Sequence, residues 1–146
     1  MVSDEKSLPD MFAPGGTKKD DSGEYKADIA TARNVKWAVK LGSQTYGNPT
    51  VAGGKVFIGT NNDSPRDPRF TGDRCNVMCF DEATGRYLWQ LTVRKLPQVG
   101  AFNSDCPKLG MCSSPMVDGN RVYLVTNRCE VLCLTTEGLG TGNVGP

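Results

Sequence analysis

The segment "PTVAGGKVFIGTN" at 49–61 returns as "PMVDGNRVYLVTN" at 115–127. Pro49/Pro115, Val51/Val117, Gly53/Gly119, Val56/Val122, Thr60/Thr126 and Asn61/Asn127 are identical, at an offset of 66. Lys55/Arg121, Phe57/Tyr123 and Ile58/Leu124 are conservative pairs. From Arg74/Arg128 onward the offset falls to 54, which aligns Cys75 with Cys129 and Cys79 with Cys133. The difference of 12 residues is an insertion in the first copy, "NDSPRDPRFTGD" at 62–73. A short chain that repeats one unit is built from elements that bury a face only against a neighbouring copy.

The unit is read from its periodicity. Beyond Asn34, apolar runs of a few residues alternate with turn chemistry, which is a strand pattern. Candidate strands cover 35–41, 48–52, 55–60, 75–80, 86–93, 113–117, 121–126 and 129–134. "AGG" at 52–54 and "DGN" at 118–120 are two-strand hairpin signals. "DEATGR" at 81–86 is a further turn, with Gly85 suited to a positive φ. The expected fold class is all-β and antiparallel. Each copy encodes three strands, and the first adds a fourth through "ATGRYLW"; four-stranded units repeated in this way make β-propeller blades. One blade is expected over 48–93 and a partial blade over 113–134. The run "VKWAVKLG" has a Trp in front of apolar residues, as "YLWQLTV" does, and reads as an orphaned fourth strand. Residues 1–33 are polar and rich in Pro, Gly, Asp and Lys, and read as an extended or disordered lead-in, with a helical turn conceivable at 25–33. The repeat region is expected to run from 34 to 140, with 141–146 as a terminal tail.

Composition narrows the chemistry. The chain has no histidine, which removes His-based acid–base catalysis, Ser-His-Asp and Cys-His systems and imidazole-ligated metals. A formal net charge of +1, with basic residues scattered, gives no field for nucleic acid. No apolar run is long enough for a transmembrane segment, and the N-terminus shows no signal peptide.

"VMCFDEATGRYLWQ" at 77–90, its decayed partner "VLCLTTEGLG", and the preceding "NPTVAGGKVFIGT" and "SPMVDGNRVYLVT" resemble the pyrroloquinoline-quinone-like (PQQ-like) β-propeller repeat family. That family includes quinoprotein dehydrogenases and the outer-membrane assembly lipoprotein BamB, and the resemblance is closest to BamB-like bacterial proteins. It implies that Trp37 and Trp89 dock between blades and that Asp81 caps the backbone of the turn. It implies a small buried residue at Cys79 and Cys133, hence inert core thiols. Family propellers have seven or eight blades, so a fragment of a longer protein is expected, with the remaining blades outside this chain. A periplasmic or cell-envelope location and a protein or peptide partner are implied as well. No catalytic, cofactor-binding or metal residue is expected; PQQ would bind only within a full-length propeller.

The other cysteines leave alternatives open. Cys75/Cys79 and Cys129/Cys133 each lie four residues apart, about 13 Å along a strand, too far for a local disulfide. Cys106 and Cys112 in "DCPKLGMC" could pair with each other, or with Cys75 or Cys129. No C-x-x-C knuckle supports a thiolate metal site. Asp63, Asp67 and Asp73 in the insertion lack calcium-loop spacing, and "GLGTGNVG" lacks the ending of a phosphate loop.

Overall fold

The structure, a computed structural model, describes residues 11–96 and 107–138. The chain divides into two compact units, residues 1–40 and 41–146.

In the first unit, β1 (Gly16–Lys19) and β2 (Tyr25–Asp28) form an antiparallel hairpin within the stretch read from sequence as an extended or disordered lead-in. The turn is organised by one carboxylate. Asp20 Oδ1 accepts hydrogen bonds from Ser22 N, Ser22 Oγ and Glu24 N at 2.9, 2.6 and 3.0 Å, and Asp20 pairs with Lys26 at 2.6 Å. A single 3-10 turn follows at Ile29–Thr31. Residues 35–41 form no strand, which corrects the reading of this run as a fourth strand. Its exposure still alternates with period two: Val35, Trp37 and Val39 are half-buried, while Lys36, Ala38 and Lys40 are exposed. The pattern of a strand is present, and a partner strand is what it lacks.

The second unit holds two antiparallel sheets. β3 (Thr50–Ala52), β4 (Lys55–Asn61), β5 (Arg74–Asp81) and β6 (Tyr87–Arg94) pair in sequence order. β7 (Met116–Asp118), β8 (Arg121–Val125) and β9 (Val131–Thr135) do the same. Two tight hairpins join β3 to β4 and β7 to β8. Each hairpin accepts an equivalent hydrogen bond from the end of the third strand: Glu82 N donates to Gly54 O and Thr136 N to Asn120 O, both at 3.0 Å. The repeated sequence thus produces a repeated structure, a complete four-stranded antiparallel blade and three strands of a second.

The core lies between the two sheets. Side chains alternate across a strand, so Cys75, Val77 and Cys79 of β5 share one face with Phe57 of β4. That face meets Val122 and Leu124 of β8, with Leu132 and Leu134 of β9 beside them and Met111 from the connection. Each large apolar side chain removed from water here contributes about 1.5–3 kcal/mol. The opposite face of β5 is closed too: Met78 and Phe80 are buried, and Arg66 from the insertion lies over the rings of Phe80 and Tyr87 at 5.4 and 5.6 Å.

Candidate functional site

The residues with chemical potential gather along the seam between the sheets, at its two ends and in its middle. At one end stands Trp89 of β6. Its ring tilts against Phe57 at 6.0 Å, and its Nε1 donates to the carbonyl of Thr136, just past β9, at 3.1 Å. Gly138 passes so close that a Cβ there would sit 2.8 Å from the indole. Beside it, Lys55 pairs with Glu137 at 2.8 Å, and the hydrogen bond to Glu137 raises the lysine pKa. One edge of the first sheet is therefore fastened to the chain leaving the second by a ring, an indole N–H and an ion pair. Trp37 occupies the corresponding place in 35–41, half-buried and outside any strand.

Asp81 and Gly85 shape the turn that delivers Trp89. Asp81 Oδ1 accepts from Thr84 N at 2.8 Å and Thr84 Oγ1 at 2.6 Å, and these bonds lower its pKa. Gly85 at φ 71° donates its N–H to Asp81 O at 2.8 Å. The carboxylate is thus engaged by its own turn.

In the middle, Cys75 and Cys79 are fully buried. Burial pushes the Cys79 thiol up to about 12, with Lys55 opposing, so it is a neutral apolar group and a poor nucleophile. Cys133, aligned with Cys79 and read as an inert core thiol, is instead exposed. The reason lies in the neighbours: the face of β7–β9 that carries it has no sheet against it among the described residues. Cys129 is also exposed, in a turn at φ 59° rather than at the start of a strand. Cys112 is exposed, with Sγ 3.7 Å from Gly110 O; its proposed partner Cys106 lies outside the described residues.

The far end of the seam was not singled out from sequence. Asn61, buried at the end of β4, accepts from Ser43 N at 2.9 Å through Oδ1, and its Nδ2 donates to Ser43 Oγ at 2.9 Å and to Lys108 O at 2.6 Å. Thr60 Oγ1 accepts from Gly42 N and donates to Gln44 O, both at 3.0 Å. Around them, Lys108 pairs through Nζ with Asp63 at 3.3 Å and donates its backbone N–H to Asp73 Oδ2 at 2.8 Å. The Asp63 pKa is lowered, first by the hydrogen bond from Ser43 and then by Lys108, against its partial burial. Gly110 at φ 73° lets the connection lie on β4; a Cβ would stand 2.5 Å from Asn61 N. The available signal was the identical Thr-Asn pair at 60–61 and 126–127, since a polar pair repeated within apolar strands has a buried bonding duty. In the second copy Asn127 Nδ2 donates to Arg94 O at 3.4 Å.

These groups bind one another, and the arrangement is that of a clamp. Among the described residues no three carboxylate or thiol groups converge on a metal-sized site, and no helix is long and apolar enough to cross a membrane. A different kind of surface lies outside the seam. Met116, Tyr123, Val125, Val131 and Cys133 share the outward face of β7–β9, with Met116 57%, Val125 47% and Val131 75% exposed.

No curated protein matches the chain. The family described as outer membrane protein assembly factor BamB matches residues 20–135, most of the chain and both sheets. With the repeated antiparallel blade structure and this match, the chain belongs to the BamB-like family of PQQ repeats.

Proposed function

We propose that this chain is a non-catalytic β-propeller repeat module that binds protein or peptide segments, in a BamB-like role in outer-membrane protein assembly within the cell envelope. The observation that carries this reading is the outward face of β7–β9. Its apolar residues lie in cross-strand register, Met116 opposite Tyr123 and Val125 opposite Val131. A large exposed apolar face on a β-sheet favours association with an apolar partner. The matching family's description supplies the class of partner: segments of outer-membrane proteins, whose strands alternate apolar and polar side chains.

A quinone cofactor fits these residues poorly. Pyrroloquinoline quinone carries three carboxylates and calls for converging cations. Here Lys55 faces Glu137, Lys108 faces Asp63, Arg69 faces Asp67 and Arg128 faces Glu130. These four cations stand in separate pairs, and the exposed thiols among the described residues are not vicinal in sequence.

The test measures binding of an unfolded outer-membrane β-barrel protein to the chain and to its Met116→Lys/Val125→Lys variant. Saturable binding that the double variant weakens at least tenfold is the expected result. Equal binding by both proteins would remove the face from the reading. Stoichiometric uptake of quinone and calcium with substrate-dependent dye reduction would replace it by an oxidoreductase.

A further inference from the structure

Two buried side-chain oxygens on neighbouring strands of the first sheet accept no hydrogen bond among the described residues, Asn76 Oδ1 on β5 and Gln90 Oε1 on β6. Asn76 is fully buried. Both residues lie on the face turned away from the second sheet, the face of Met78 and Phe80. Asn76 stands directly opposite Thr92, and Gln90 directly opposite Met78. Gln90 Nε2 donates to Thr92 Oγ1 at 2.8 Å, which carries its carboxamide along β6 into the row of Asn76. Side chains directly opposite one another in an antiparallel pair have Cβ atoms about 5 Å apart. The two oxygens therefore belong to neighbouring groups.

The orientation of the Asn76 amide is set from the insertion. Phe70 O and Gly72 O are carbonyls that can only accept, so the atom of Asn62 that meets them, at 3.0 and 3.3 Å, is Nδ2. Asn62 then offers Oδ1 to Asn76, which donates to it through its own Nδ2 at 2.8 Å. What remains of Asn76 is a buried acceptor. Its neighbour across β4 supplies no donor, because the Thr60 hydroxyl gives its hydrogen to Gln44 O. On β6, Thr92 Oγ1 accepts from Gln90 and has one hydrogen left to give. Native interiors meet a need of this kind with ordered water.

We propose that one water molecule is bound between β5 and β6, donating to Asn76 Oδ1 and Gln90 Oε1 and accepting from the Thr92 hydroxyl. Three hydrogen bonds are typical of a buried water. A cation suits the place less well, since none of these side chains is a carboxylate that would offset a buried positive charge. The Gln90 amide can also turn over, taking the Thr92 hydrogen on Oε1 and presenting Nε2. Water then accepts from it, whereas a cation is repelled. The bound water completes a line of polar contacts from the insertion through Asn62 and Asn76 to β6, and so ties the insertion to a strand that it does not adjoin in sequence. This site is independent of the outward face of β7–β9 and of any partner there.

The experiment uses the whole chain, and the probe is water itself. A high-resolution crystal structure should show a water within about 2.7–3.2 Å of both Asn76 Oδ1 and the Gln90 carboxamide. In solution, the Asn76 side-chain amide should give water cross-peaks of opposite sign in laboratory-frame and rotating-frame measurements, the signature of a long-lived bound water. Gln90→Met keeps the side chain's length and removes its polar atoms. The cross-peaks at Asn76 should then be lost, while the Asn62 N–H, bonded to Arg74 O, should exchange as in wild type. Absence of the water or of the cross-peaks in wild type would overturn the proposal, as would a water within reach of only one of the two groups. So would cross-peaks that survive Gln90→Met in a folded variant. An anomalous peak at the site in crystals soaked with rubidium would assign a cation there and overturn it too. Where Gln90→Met fails to fold, the wild-type crystal and cross-peaks decide alone.

Discussion

Cys79 and Cys133 occupy the same place in the repeated unit, on third strands of the same register, yet one is sealed and the other open to solvent. The same holds for Val77 and Val131, buried and 75% exposed. What separates them is the next layer. The first sheet has the second against that face, together with a fourth strand; the second sheet has neither among the described residues. In this architecture the sequence of a blade sets which side chains share a face, and the neighbouring blade sets whether that face is interior.

The comparison can be broken most forcefully at Trp89. Trp89→Ala removes the ring that joins the sheets and should cost about 3 kcal/mol in chemical denaturation, the lower end of the range for large aromatic truncations because the ring is only half-buried. A loss under 1 kcal/mol would mean that the sheets do not depend on one another. Gly110→Ala comes next, at about 2 kcal/mol, because the residue is both left-handed and pressed on β4. Gly119, at φ 55° with open space around it, should lose less in the same assay when replaced by Ala.

The aligned asparagines sharpen the contrast. Asn61→Ala removes several part-buried hydrogen bonds and should cost about 2 kcal/mol, whereas Asn127→Ala removes the long bond to Arg94 O and should cost less. Equal losses would show that both asparagines make the same clasp. The acid limb carries a smaller effect. The Asp63 pKa is depressed in the folded chain, so its contribution is present above the ordinary carboxylate pKa and is lost as pH falls through the lower folded value. Asp63→Asn should flatten the acid end of a stability–pH curve. With a thiol reagent under native, reducing conditions, Cys129 and Cys133 should react readily, while Cys75 and Cys79 react only on unfolding.

Hairpins and strand order were legible because turn chemistry and period-two alternation are local. "AGG", "DGN" and "DEATGR" specify their own reversals wherever they stand. Three things were not legible, each because it depends on something distant. A run such as 35–41 can have the alternation of a strand and still lack a ladder, since a strand exists only with a partner. The exposure of Cys133 was misread because burial belongs to a pair of sheets. The clasp at Asn61 joins residues 47 positions apart in sequence, and no spacing rule reaches that far. Only the repeated Thr-Asn pair hinted at it. The β1–β2 hairpin was missed for the opposite reason: its four-residue strands are too short and too polar to show periodicity, and one aspartate sets its turn.

The insertion after β4 closes on itself. Asn62 donates its N–H to Arg74 O at 3.1 Å, and its Nδ2 reaches Phe70 O and Gly72 O at 3.0 and 3.3 Å. In the second copy Asn127 runs directly into Arg128, the residue aligned with Arg74, so a blade of this kind turns this corner with or without the extra residues. For protein engineering, the corner is a socket whose two terminals stay a hydrogen bond apart whatever is mounted between them. Doubling the length of a flexible loop costs only about 0.6 kcal/mol in closure entropy. A recognition peptide or a reporter sequence can therefore be inserted between the exposed Pro68 and Arg69 while Arg66 keeps its place over Phe80 and Tyr87 and Asp63 and Asp73 keep their hold on Lys108, and the display site would lie at the rim of the blade.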